Sequence, residues 1–92
     1  MATLLNGVTT DTVGTGASHT GPCSVFVTGT LGGGVVTLEI APSDTSAEYV
    51  PAGRNSVLWQ PGSYTVDAQG TYFLRARIDR STSPSVTVET TQ

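Results

Sequence analysis

Residue types that carry chemistry are scarce in this sequence. The chain of 92 residues has one cysteine, Cys23, one histidine, His19, and no lysine. A single cysteine cannot form an intrachain disulfide, and no group of cysteine and histidine residues is present to hold a structural metal. Four arginines stand against seven acidic residues, and the pI is about 4.6. Nucleic acid is therefore not an expected partner, because phosphate binding needs clustered lysine or arginine.

Long hydrophobic runs are also missing. No stretch approaches the ~20 apolar residues that a membrane-spanning helix needs. Residues 1–7 lack both the basic segment and the apolar run of a signal peptide. We therefore expect no membrane partner, synthesis in a cytoplasm, and a Cys23 that stays a thiol.

The residues that are abundant favour β-structure. Glycine, threonine, serine and valine dominate, and charged residues are only 12% of the chain. Threonine and valine fit a pleated surface better than a helix, because branching at Cβ restricts χ1. Leucine and alanine never recur at the spacing of an amphipathic helix. The composition thus predicts an all-β protein.

Alternation of apolar and polar residues from about residue 22 onward locates the strands. The inward positions that it predicts are Cys23, Val25, Val27, Val36, Leu38, Ile40, Tyr64, Val66, Tyr72, Leu74, Ala76, Ile78, Val86 and Val88. Phe26 falls on the opposite face of its strand, so we expect that strand to be covered on both sides. Turn residues at Gly32–Gly34 and at Ser81–Pro84 predict two β-hairpins.

These strands predict an antiparallel β-sandwich, jelly-roll or immunoglobulin-like, with seven to eight short strands. We place the sandwich core in residues 22–92. Residues 1–21 break the alternation and are expected to form an N-terminal arm with one or two short strands. A domain of this size has a thin core and often gains burial from partner subunits. Leu4, Leu5 and Val8 of the arm are therefore candidate partner contacts.

Candidate sites for catalysis or metal binding are few. His19 lies between small polar residues and is expected to be a solvated loop histidine, although a small hydrolase using His19 remains an alternative. Cys23 alternates with Val25 and Val27 and is expected to be a small buried hydrophobe. Asp44 with Glu48, or Asp67 with a loop carbonyl, could hold calcium, although turn capping explains Asp44 equally well. We predict no catalytic residues, no cofactor and no metal.

Candidate partner contacts are aromatic or basic. Trp59 and Tyr49 lie beside loops, as is typical of sugar-binding faces and interface hot spots, although Trp59 could equally fill the core. Arg75 and Arg77 point to the same side of one strand, where they meet either solvent or an acidic partner. Arg54 and Arg80 are the other arginines that could pair with carboxylates of a partner.

The order of motifs from Gly21 to Val88, about three quarters of the chain, resembles a class of small virion proteins of tailed bacteriophages. A valine-rich strand is followed by Gly34-Val35-Val36-Thr37-Leu38-Glu39, which matches a G-x-V-T-L-E strand. Gly70-Thr71-Tyr72-Phe73-Leu74-Arg75-Ala76 matches a G-x-Y-x-L-R-A strand, and Ser85-Val86-Thr87-Val88 follows after a turn. The class is similar to head-decoration (cement) proteins, head fibres and some tail components.

This resemblance implies a β-sandwich or jelly-roll protein that binds the outer surface of the major capsid protein and stabilises the virion. A homo-oligomer such as a trimer would suit the symmetry of a capsid. The alternatives that stay open are a tail or baseplate component, a glycan-binding adhesin that uses Trp59 and Tyr49, and a cellular carbohydrate-binding module.

Overall fold

The computed structural model describes residues 2–53 and 56–91, and these form two antiparallel sheets. The helical structure within them is one three-residue 3-10 turn, Ser46–Glu48, and no helix of the described part could span a membrane. The ten strands are β1 (Ala2–Val8), β2 (Thr12–Val13), β3 (Ala17–Thr20), β4 (Cys23–Thr30), β5 (Val35–Ala41), β6 (Val50–Pro51), β7 (Val57–Leu58), β8 (Gly62–Val66), β9 (Thr71–Asp79) and β10 (Ser85–Thr90).

Each sheet has four strand positions. Sheet I has the order β1-β10-β4-β8. In sheet II the inner strands β9 and β5 pair with each other, β2 and β3 both pair with β9, and β6 and β7 both pair with β5. The two outer positions of sheet II are thus edge strands broken into two segments each. Counting each broken strand once gives eight positions, which reconciles the ten observed segments with the seven to eight strands predicted.

The path of the chain through the two sheets is that of a jelly roll. When each broken edge strand is counted once, the chain alternates between the sheets, except that β5 continues into the edge strand of β6 and β7 within sheet II. Inner strands β10 and β4 of sheet I and β9 and β5 of sheet II are neighbours in space but distant in sequence. Eight strands wound in this way form the double Greek key of a jelly roll. The predicted β-sandwich is confirmed, and its topology is the first of the two that the alternation allowed.

Both predicted hairpins are wrong. β4 pairs with β10 and β8, whereas β5 pairs with β9, so the Gly32–Gly34 turn carries the chain from one sheet to the other. The turn at Ser81–Pro84 likewise connects β9 of sheet II to β10 of sheet I. A hairpin and an arch between sheets leave the same sequence signature, because both present alternate residues to one core.

The two arches touch each other, and a carboxylate stabilises one of them. The Thr82 N–H donates to the Gly32 carbonyl at 2.9 Å, and Gly32 has a φ of 62°, which glycine adopts without steric cost. The Asp11 carboxylate accepts hydrogen bonds from the N–H groups of Arg80 and Ser81, and the Ser81 hydroxyl donates to it as well. These bonds support Arg80, a non-glycine residue with a φ of 59°.

The core lies between the sheets and contains nearly all the residues that alternation predicted. Val25, Leu38, Leu74 and Val88 are at most 1% exposed. Of the predicted inward residues, only Ile40 and Tyr64 are half-buried, and both contact the core. Phe26 is 42% exposed on the outer face of sheet I, so the prediction that β4 is covered on both sides is wrong.

Residues 2–20 complete the sandwich rather than forming an arm. β1 pairs with β10 and closes one edge of sheet I, while β2 and β3 close one edge of sheet II. The alternation is hidden here for two reasons. β1 contains register shifts, and the segment with Gly14 and Gly16 interrupts the edge strand of sheet II. The expected boundary at residue 21 therefore separates edge strands from inner strands.

Candidate functional site

The outer face of sheet II presents a mixed apolar and charged surface. The register places Val13 beside Arg77, Arg77 beside Thr37, and Thr37 beside Val57. Val13 and Val57 are 46% and 45% exposed. We call this surface the sheet II face and define it by Val13, Val35, Thr37, Glu39, Val57, Phe73, Arg75, Arg77 and Asp79.

An ion network occupies the middle of the sheet II face. The Arg75 Nε donates to Glu39 Oε1 at 2.7 Å, and Arg77 lies between Glu39 at 3.6 Å and Asp79 at 3.0 Å. The pKa of Arg77 is raised by its hydrogen bond to Asp79 and by the charges of Asp79 and Glu39. Two arginines and two carboxylates have no net charge, so the network neutralises itself.

Glu39 is the central and most buried member of this network. Its residue exposure is 7%, and the side chains of Arg75 and Arg77 are 13% and 38% exposed. Both arginines therefore lie on the outer side of β9, as expected, but Arg75 is largely covered there and Arg77 is the more exposed. Sequence reasoning missed the role of Glu39 because the hairpin prediction gave β5 the wrong neighbour. Opposite charges on Glu39 and Arg75 are the signal that a correct pairing of β5 with β9 would have made visible.

Tyr49 lies on the same side of the sheet, over Arg75. The Arg75 guanidinium carbon is 4.0 Å from the centre of the Tyr49 ring, a cation–π contact. The Tyr49 hydroxyl donates to Asp44 at 2.8 Å. The pKa of Tyr49 is raised to about 12, mainly by burial and secondly by this hydrogen bond. Tyr49 and Arg75, which the sequence suggested separately, therefore form one unit.

Two of the three acidic residues considered for calcium, Asp44 and Glu48, have side-chain partners. Asp44 accepts the hydrogen bond from Tyr49, and Glu48 accepts one from the Ser43 hydroxyl at 2.6 Å. Within residues 2–53 and 56–91 no group of three or more histidine, cysteine or acidic residues is arranged to hold a metal. Asp44 therefore bonds to a tyrosine hydroxyl, a different contact from the main-chain cap that the turn interpretation expected.

Trp59 is 68% exposed, and the interpretation that it fills the core is wrong. It directly follows β7, which pairs with Val36 and Thr37, whereas Tyr49 directly precedes β6, which pairs with Glu39 and Ile40. The two aromatics therefore lie at opposite ends of one broken edge strand. They do not form the joint aromatic surface that a shared glycan site would need.

The structure places the three candidates of the predicted arm against the core. Leu4 and Leu5 are each 3% exposed, and half-buried Val8 also contacts the core. This corrects the expectation that Leu4 and Leu5 are available to a partner. β1 pairs with β10, and the register shift between Thr3 and Leu5 lets two consecutive leucines face inward. Arg54, another arginine considered for partner contact, lies outside the described residues, and Arg80 is exposed in the arch after β9.

His19 is a core residue and not a solvated loop histidine. It lies in β3 and is 2% exposed. One ring nitrogen is 2.8 Å from the Thr90 hydroxyl and the other 2.9 Å from the Ala17 carbonyl. Its ring stacks on Tyr72 with centroids 5.9 Å apart. Because a carbonyl only accepts, the nitrogen facing Ala17 carries the proton, and the histidine bridges the two sheets.

Cys23 is buried, as predicted, and is 5% exposed. The Tyr72 hydroxyl lies 3.6 Å from its sulfur and donates to the Gly21 carbonyl at 2.6 Å. Burial raises the pKa of Tyr72 well above its usual value. His19, Tyr72 and Cys23 thus form a row of contacting residues inside the core, in which the polar groups of His19 and Tyr72 are hydrogen-bonded.

Two concave surfaces of the described residues are small. One cavity of about 180 Å³ lies between Leu38, Ser56 and Asp67, and an apolar hollow of about 290 Å³ lies between Ile40, Val50 and Tyr72. Both are below the ~300–1,000 Å³ of typical small-molecule sites. The sheet II face is a better candidate for binding because it is broad and carries residue types that are enriched at interfaces.

Comparison of the chain with protein-family models, curated proteins and solved structures finds no match. The assignment of function therefore depends on the residues of the chain and their geometry.

Proposed function

We propose that this chain is a structural protein of a tailed-bacteriophage particle, and that it binds the outer surface of the capsid as a decoration (cement) protein. In this proposal it acts by binding, without catalysis. The motif order from Gly21 to Val88 resembles that class of virion proteins, and jelly rolls are frequent in viral capsid proteins. The binding surface is the sheet II face together with Trp59.

One observation carries the proposal. The large apolar side chains that are exposed are unevenly distributed. Val13, Val57 and Trp59 lie in strands of sheet II or directly follow one, and Val50 lies at the edge of that sheet beside the inward Ile40. Among the described residues, sheet I contributes only Phe26. Trp59, Tyr49 and the arginine pair are residue types that dominate binding energy at protein interfaces. A concentration of such residues on one sheet is typical of a contact surface.

The charges of the sheet II face suit a contact with a large protein surface. Glu39 and Asp79 already pair with Arg75 and Arg77, so a partner does not have to supply counter-charges. Arg77 keeps 38% of its side chain exposed and can donate further hydrogen bonds at the rim. Repeated copies on a symmetric shell would then convert a modest contact per subunit into firm attachment.

The test is binding of the purified chain to mature capsids of the phage that encodes it, measured by co-sedimentation. Trp59→Ala should weaken binding about 30-fold, because a hot-spot residue contributes roughly 2 kcal/mol. Phe26→Ala, which removes the exposed aromatic of sheet I, is the matched control and should change binding less than about threefold. A wild-type chain that does not bind capsids at micromolar concentration would refute the proposal.

A second candidate is a tail or adhesin module that binds glycans, and the 68% exposure of Trp59 is the observation that favours it. An exposed indole can stack on a sugar ring, and lectins also use the jelly roll. Binding to a glycan array that is lost in Trp59→Ala, together with no binding to capsids, would favour this function over the first.

A further inference from the structure

We propose that the free edge of β8 pairs with the same edge of a second copy of this chain, antiparallel and about a two-fold axis at Tyr64, so that sheet I continues across a homodimer. The surface involved is separate from the sheet II face. Self-association through β8 can therefore be tested whether or not the chain binds capsids.

The direction of the main-chain groups of β8 follows from the register. The Thr91 N–H donates to the Ser24 carbonyl at 3.1 Å, so Ser24 directs its main-chain groups toward β10 and away from β8. Thr65 lies opposite Ser24, and Ser63 lies opposite Phe26 two residues on. Residues in such pairs turn their N–H and C=O groups away from each other. Ser63 and Thr65 consequently direct these groups to the free edge, where both residues are exposed.

The other three sheet edges are protected against pairing. β1 contains two register shifts, which disrupt its edge. The edge strand formed by β2 and β3 is interrupted at residues 14–16. The opposite edge is divided into β6, which ends with Pro51, and β7, which begins at Val57. Breaks, bulges and proline are the devices by which proteins prevent edge-to-edge association. β8 runs unbroken over five residues, with no charge and no proline.

A second copy is the occupant that fits this edge because the segment is complementary to itself. In antiparallel pairing centred on Tyr64, Ser63 faces Thr65 of the other copy, and each such pair exchanges two hydrogen bonds. The two Tyr64 residues face each other in a non-hydrogen-bonded position, where side chains approach closely. Asp67 then faces Pro61 of the other copy, so the axis brings no like charges together.

The first experiment introduces charge at the two outward positions of β8. Ser63→Lys with Thr65→Lys places lysine opposite lysine across the axis, whereas Ser63→Lys with Thr65→Glu places lysine opposite glutamate. Both variants alter the same two exposed positions, so they perturb folding of the single chain similarly. In sedimentation velocity, the first should weaken dimerisation at least tenfold and the second should stay within about threefold of wild type. Equal dimerisation of the two variants would overturn the proposal.

The second experiment tests the position of the axis by cross-linking. Tyr64→Cys places two cysteines about 4.5 Å apart between Cα atoms, within the range for a disulfide. Ser63→Cys is the matched control, because its cysteine faces Thr65 rather than its own counterpart. Mild oxidation should give disulfide-linked dimer with Tyr64→Cys and much less with Ser63→Cys. A wild-type chain that stays monomeric at 200 µM, or equal cross-linking of both variants, would rule the dimer out.

Discussion

Removing the charge of Glu39 should destabilise the sandwich far more than its position on an outer sheet face suggests. Breaking a buried ion pair by removing one partner costs about 3–5 kcal/mol, because the remaining charge stays desolvated. The side chains of Glu39 and Arg75 are only 10% and 13% exposed, and Tyr49 also covers the Arg75 guanidinium. We therefore expect Glu39→Gln to lower the free energy of unfolding by about 2–3 kcal/mol. For a domain of this size this lowers Tm by roughly 10–20 °C.

The assay is urea denaturation followed by far-UV circular dichroism, with Asp79→Asn as the control. Asp79 pairs with Arg77 on the exposed side of the network, where both side chains are about 40% exposed. Such a surface pair is worth at most about 1 kcal/mol, so Asp79→Asn should have a small effect. Combining Glu39→Gln with Arg75→Met should recover at least about 1 kcal/mol, because the unpaired charge is then removed. Equal effects of Glu39→Gln and Asp79→Asn would refute the reasoning.

Three further outcomes are expected. The fluorescence maximum of Trp59 should shift little on unfolding, because its side chain is already 68% exposed; a strongly blue-shifted native spectrum would contradict the structure. Gly16→Ala should lower the free energy of unfolding by about 1–3 kcal/mol, because the added methyl group would collide with the Tyr49 hydroxyl and displace the Tyr49 ring from Arg75. Gly33 has a positive φ and open space around it, so Gly33→Asn should change the stability measured in thermal melts very little. Stability should fall as pH rises from 10 through about 12, since the folded-state pKa of Tyr49 is raised, and Tyr49→Phe should lose less over that interval than wild type.

The core was predictable from sequence because its signal is local. Strand residues alternate with period two, and that period identified residues such as Val25, Leu38 and Leu74 without any knowledge of partners. The pairing of strands was not predictable in the same way. A turn such as Gly32–Gly34 fits either a hairpin or an arch, and only the contacts of β4 with β10 and of β5 with β9 distinguish them.

The errors at the candidate site have the same origin. His19 lies in a polar, glycine-flanked stretch, but its burial depends on the pairing of β3 with β9, more than fifty residues away. Tyr49 over Arg75 and Glu39 beside Arg75 are likewise long-range contacts. The burial of Trp59 was ambiguous because the strand before it has only two residues, which is too short for an alternating pattern to show which face Trp59 lies on. Residue types therefore indicated which side chains to consider, and the topology determined which of them meet.

The pairing of β1 with β10 also constrains the order in which the chain can fold during synthesis. β1 leaves the ribosome well before its sheet neighbour, Ser85–Thr90, which is made more than seventy residues later. Until then Leu4 and Leu5 have no strand beside them and stay accessible to chaperones or to neighbouring nascent chains. Ribosome-bound chains that stop before Ser85 should thus lack a closed sheet I.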